Sequence, residues 1–208
     1  MAEMHVGVVF DPAPPVVDES LRQATAEGDA GNYGKAIELL RSAYTEIEKA
    51  GSGYPAAVFL RLPRYLQQSG RSNEAWTEYQ RLLVVGCPGW RPDSVMLPME
   101  HSHVYDKMRL FLQREGHLYL AVGYRVLSYV SFADSIRRQR RFMVLRDMKA
   151  PESIRHEVER DLKKARRLDV QAQIVSLICE CLKFRPPLTD TDILARVKAI
   201  LGTTESFP

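Results

Sequence analysis

Cysteine is scarce. The 208 residues hold three, Cys87, Cys179 and Cys181. An odd count at irregular spacing excludes a disulfide framework, and Cys179 and Cys181, two apart, would point to different sides of a helix. All three are expected as reduced thiols, which points to the cytoplasm. Long apolar runs are missing too. The longest mainly apolar stretch, LYLAVGYRVLSYVSFA at 118–133, is short for a membrane span and carries Arg125. It predicts a core helix and no transmembrane segment. The opening MAEMHVGVVF lacks a basic region and contains Glu3, so no signal peptide is expected.

Catalytic signatures are also missing. The chain has no G-x-S-x-G, H-E-x-x-H, Walker loop or G-x-G-x-x-G. The GSG at 51–53 lacks the Lys and Ser/Thr that cradle phosphate and reads as a loop between helices. His101 and His103 diverge if they lie on a helix, and no nearby Cys or carboxylate spacing completes a metal site. Only an extended 98–103 would bring both to one ion. Cys87 stands before Pro88 in a loop, and a nucleophilic role there requires a basic neighbour in space. Glu157 and Asp161, four apart amid Arg160 and Lys164, read as surface ion pairing on a helix. Nothing here points to an enzyme, a metal site or a cofactor.

What is present begins with charge. Net charge is +3, but residues 1–100 sum to −4 and residues 101–208 to +7. Residues 137–167 alone hold 12 Lys/Arg against 5 Asp/Glu. The candidate basic patch is Arg137, Arg138, Arg140 and Arg141, followed by Lys163, Lys164, Arg166 and Arg167. Such a face could neutralise phosphates or meet an acidic protein, and it equally fits a plain solvated surface. Phe142 is the only aromatic within the run, too few for a single-strand stacking platform, and no helix-turn-helix signature is evident.

A repeat is also present. Gly31 is followed five residues later by Ala36, Gly70 by Ala75 and Gly116 by Ala121. The second and third copies share aromatic–Leu–Gln before the glycine, in YLQQSGRSNEAW and FLQREGHLYLAV. Glycine ends a helix by taking positive φ at little cost, and the small alanine lets the next helix approach the one before. Helical period flanks each copy: Ala36, Ile37, Leu40, Ala43, Tyr44 and Ile47; Val58, Leu62, Tyr65 and Leu66; Val104, Met108, Phe111 and Leu112. A lone hairpin of this kind cannot bury its apolar side, whereas stacked neighbours can.

GNYGKAIELLRSAY at 31–44, with Gly31, Tyr33, Ala36 and Ala43, resembles the turn and second helix of a tetratricopeptide repeat. Gly70, Ala75 and Tyr79 match in a second copy, where Ser72 replaces the turn aromatic. Gly116 and Ala121 match in a third, where Leu118 does so. The resemblance covers 17–134. It implies an all-α, right-handed helical-hairpin solenoid of about three units over 18–134. An extended arm precedes it at 1–17, where Pro12, Pro14 and Pro15 oppose a helix. A basic C-terminal helical extension at 135–202 caps it, with a loose tail at 203–208. Three further helices are expected there: 151–168, opened by Pro151; 169–185, stopped by Pro186 and Pro187; and 189–201, capped by Thr189 or Asp190.

The resemblance also implies a protein partner, bound on a concave face lined by the first helix of each hairpin. The groove candidates are Arg64, Gln67 and Gln68 on the second hairpin and Arg109, Gln113 and Arg114 on the third, with Asp18, Arg22 and Thr25 as counterparts on the first. The basic carboxylate-gripping set of chaperone-adaptor members is not matched, so that ligand is not expected. The reading is a non-enzymatic adaptor, or by fold-level analogy an immunity-type toxin neutraliser. A nucleic-acid-binding regulator using 137–167 is the alternative.

Overall fold

The computed structural model describes residues 15–88, 97–139, 151–183 and 188–205. Regular structure there is helical, with no strand among the described residues, as the all-α expectation requires. No described helix is long and apolar enough to cross a membrane. The chain divides into two compact units, Met1–Arg91 and Pro92–Pro208.

Unit one is built from α1 (Pro15–Asp29), α2 (Tyr33–Ala50), the single turn α3 (Ala56–Phe59), α4 (Arg61–Gln68) and α5 (Ser72–Val84). α1 begins at Pro15 itself, earlier than the proline run suggested. A proline in the first turn gives up an N–H that has no intrahelical partner anyway. Pro63 explains why 56–68 is two helices: it cannot donate to the carbonyl of Phe59 and its ring would clash there, so α3 stops at Phe59. The helical stripe Val58, Leu62, Tyr65 and Leu66 is buried nonetheless, as are Ala36, Ile37, Leu40, Ala43, Tyr44 and Ile47 on α2. The Tyr44 hydroxyl donates to the Val58 carbonyl at 2.6 Å, tying α2 to α3.

Unit two is built from α6 (Leu97–Arg114), α7 (Leu118–Gln139), α8 (Pro151–Lys164), α9 (Gln171–Lys183) and α10 (Asp190–Leu201). A 3-10 turn, Leu168–Val170, precedes α9. α7 is the central helix and packs against α6, α8, α9 and α10. The apolar 118–133 segment is therefore a core helix, with Leu120, Ala121, Val122, Val126 and Leu127 buried. Thr189 caps α10, its hydroxyl accepting from the Asp192 N–H while Asp192 reaches back to Thr189 N.

The three glycine turns share one geometry. Gly31, Gly70 and Gly116 have φ of +82°, +79° and +86°. In each, the following residue donates to a carbonyl five back: Asn32 to Glu27, Arg71 to Leu66, His117 to Leu112, at 2.8–2.9 Å. The glycine N–H donates three back in each case. This doubled bond satisfies the last carbonyls of the first helix. The residue after the glycine then starts the second helix, since its carbonyl accepts from Ala36, Ala75 or Ala121 at 3.0–3.1 Å. All three alanines are fully buried.

A fourth turn uses the same bonds without glycine. Between α8 and α9, Arg166 N donates to Lys163 O at 3.1 Å and Arg167 N to Leu162 O at 2.9 Å, with Arg166 at φ +54°. Arg166 is the only non-glycine with positive φ among the described residues. The segment expected to be a plain cap therefore contains a further helix pair.

Within each unit the second pair meets the first in one register. Tyr65, five residues before Gly70, lies on Gly28, three before Gly31; a Cβ on Gly28 would stand 2.3 Å from Tyr65 Cζ. Asp161, five before Arg166, accepts from Gln113, three before Gly116, at 2.9 Å.

Candidate functional site

The six groove candidates divide. Arg64, Gln68 and Arg114 are exposed. Gln67 is only 9% exposed and Arg109 7%, so neither offers a docking surface as expected. Gln113 is half-buried and bonded to Asp161. The reason is α8: it lies on the side of α6 that carries Arg109 and Gln113. On α1, Asp18 accepts from the Tyr54 hydroxyl at 2.9 Å and Thr25 from Arg61 at 3.1 Å, while Arg22 pairs with Glu19.

The basic-patch candidates divide as well. Arg138 is exposed and pairs with Asp134 at 2.9 Å, Lys163 with Glu159 at 2.6 Å and Arg167 with Asp169 at 3.0 Å. Lys164 donates to the Gln113 side chain at 2.8 Å, and Arg166 is exposed. Arg137 belongs to α7; Arg140 and Arg141 fall outside the described residues. Exposed pairs of this kind contribute about 0–1 kcal/mol each, but they lower the net charge the face presents.

The main concentration of chemistry in unit two is buried and was not expected. Arg125, the lone charge inside the apolar run, is 6% exposed. Its Nε donates to Asp161 Oδ2 at 2.7 Å and its Nη1 to Glu157 Oε2 at 2.8 Å, with Asp106 at 3.5 Å. Arg109 donates twice to Asp106, at 2.8 and 3.0 Å, and reaches Asp161 at 3.4 Å. Asp161, 2% exposed, thus faces two arginines and Gln113. The Tyr129 hydroxyl donates to Glu157, and its ring lies 5.7 Å from the Arg125 guanidinium carbon.

Glu157 and Asp161 are therefore not a surface pair. The inward stripe of α8 is Val158, Leu162 and Ala165, all buried, and Glu157 and Asp161 flank it. The signal available in the sequence was Arg125 itself, since a cation in a core helix requires buried acceptors.

Burial works against the charge on Arg125, but the hydrogen bond and charge of Asp161 outweigh it and hold the guanidinium above its ordinary range. Burial first, then Glu157, pushes the Tyr129 phenol well up. A second cluster lies at the start of α10. The Tyr105 hydroxyl donates to Asp190, and burial with the Asp190 charge raises Tyr105 strongly and Tyr124 to about 12. His101 stands edge-on to Tyr105, ring centres 6.2 Å apart, and burial lowers its pKa. His103 points instead toward Glu100, 3.7 Å away. No cluster of three or more His, Cys, Asp or Glu among the described residues could hold a metal ion. Cys87 is buried rather than exposed in its loop; Cys181 is buried and Cys179 exposed.

A pocket of about 390 Å³ opens beside the ion cluster, lined chiefly by Asp106, Arg109, Arg125, Tyr129, Glu157 and Arg160. The chain matches no protein-family model, no curated protein and no solved structure.

Proposed function

We propose that the chain is a non-enzymatic protein-binding module, each unit a stretch of right-handed helical-hairpin solenoid of the tetratricopeptide type. The observation that carries this reading is the turn. One set of cap bonds recurs at Gly31, Gly70 and Gly116, and the second helix pair of each unit meets the first in one register. Stacked pairs of this kind present the first helix of each pair to a partner. The position two residues before each turn, held by Asp29, Gln68, Arg114 and Lys164, is exposed in all four pairs. Its side chains differ from pair to pair, as a surface read by one partner requires. The biological form is an adaptor or a neutraliser working in the cytoplasm.

Local acids across the basic run favour a protein partner over nucleic acid, because Asp134, Glu159 and Asp169 would repel phosphates. Co-purification from the native host tests both. A protein partner is retained by Arg138→Ala and lost on Arg64→Glu or Arg114→Glu. Binding that falls steeply with salt and vanishes when Arg137, Arg138, Arg140 and Arg141 become Ala would instead establish the nucleic-acid alternative.

A further inference from the structure

The pocket of unit two has an unbalanced wall. Arg109, Arg125 and Arg160 line it, against the carboxylates of Asp106 and Glu157; Asp161 lies behind the wall and does not line it. The lining thus carries one surplus positive charge before His103, at its edge, is counted. Its hydroxyls are already engaged. Ser128 donates to the Ser102 carbonyl at 3.0 Å, and Tyr129 donates to Glu157. Arg125 is different. Nε and Nη1 are held by carboxylates, while Nη2 reaches no acceptor among the described residues. A guanidinium this deeply buried gains from an acceptor on every N–H, and a planar carboxylate matches that edge. Phe132 and Tyr129 add flat aromatic wall beside it. The volume lies in the range of small-ligand sites, about 300–1,000 Å³.

We propose that this pocket binds a small aromatic monocarboxylate, its carboxylate on Arg125 Nη2 and Arg160 and its ring against Phe132. One negative charge balances the wall. A phosphate, carrying nearly two, would leave an excess facing Asp106 and Glu157. A cation would add to a surplus already present. The site lies wholly within α6, α7 and α8 and does not depend on a protein partner.

Benzoate titrated into the full chain, followed by calorimetry and by amide chemical shifts, tests this. Saturable binding is expected, with shifts confined to α6, α7 and α8. The neutral isostere benzamide should not bind, and inorganic phosphate should bind more weakly than benzoate. Replacing Arg125 would unbalance the buried ion cluster, so the informative variant is Arg160→Gln, on the exposed side of α8. It should weaken benzoate about tenfold, the effect of one charge-assisted hydrogen bond. Arg64→Gln, in unit one, should leave affinity unchanged. The proposal is overturned if benzoate does not saturate at millimolar concentration, if benzamide binds equally well, if phosphate binds more tightly, or if Arg160→Gln has no effect.

Discussion

Unit one and unit two place a second helix pair on a first in the same register, with opposite chemistry at the contact. In unit one the contact is steric. Tyr65 occupies the space that any side chain at position 28 would need, and Arg61 adds bonds to the Leu21 carbonyl at 3.3 Å and to Thr25. In unit two it is ionic. Asp161 takes the position of Tyr65 and is held by Arg125, Arg109 and Gln113. A glycine–tyrosine contact tolerates no added volume but is indifferent to pH and salt. A buried ion cluster is sensitive to losing any one member, because the others remain as uncompensated charge. One backbone arrangement thus admits two ways of closing the interface, each with its own point of failure.

The largest effect should come from Asp161→Ala, which strands two buried guanidiniums. A loss of about 3–5 kcal/mol is expected, read by denaturant unfolding, with amide exchange rising in α8 before α2. A loss below about 1 kcal/mol would mean that the cluster behaves like an exposed pair. Next comes Gly28→Ala, which forces a Cβ into the Tyr65 ring. Overpacking of this kind costs about 1–3 kcal/mol, and Tyr65→Leu in the same chain should recover part of it. If the two substitutions simply add, the steric account of unit one fails.

The turns give a smaller effect with a change of sign. Arg166→Gly should raise stability by about 1 kcal/mol, because glycine takes positive φ without the Cβ penalty, and Gly70→Ala should lower it by about the same amount. Thermal unfolding of both variants checks the pair, and equal signs would contradict it. The smallest effect concerns acid. His101 titrates below its ordinary 6.5 in the folded chain, with burial the main cause, Asp190 and Glu100 opposing and Arg138 assisting. The unfolded chain therefore binds the proton first. This contribution is complete above pH 6.5 and is lost as pH falls through that value toward the lower folded pKa. His101→Gln should flatten the decline in unfolding temperature over that window, relative to the unsubstituted chain.

The turns at 31, 70 and 116 were legible because the left-handed region is nearly reserved for glycine, so the residue type reports the backbone. The turn at 166 was not, because Arg166 adopts that region under the control of the flanking helices α8 and α9. The buried stripes were legible from their period, although Pro63 divided one of them into two helices. Arg109 and Gln113 were placed on an open groove because their own helix gives no indication of what covers it. Glu157 and Asp161 were read as solvated because four-residue spacing suits a surface pair and an inward clamp equally well.

By itself the sequence determined that the chain would be helical, where three of its four helix pairs would turn, and which apolar residues would be buried. These are local matters of φ, spacing and hydropathy. Only the tertiary structure decided which face of α6 is covered, that α8 and α9 form a further pair, and that Arg125 finds its acceptors more than thirty residues away. Such pairings depend on which helices meet, and a charge in a helical segment carries no record of its partner until packing removes water from both.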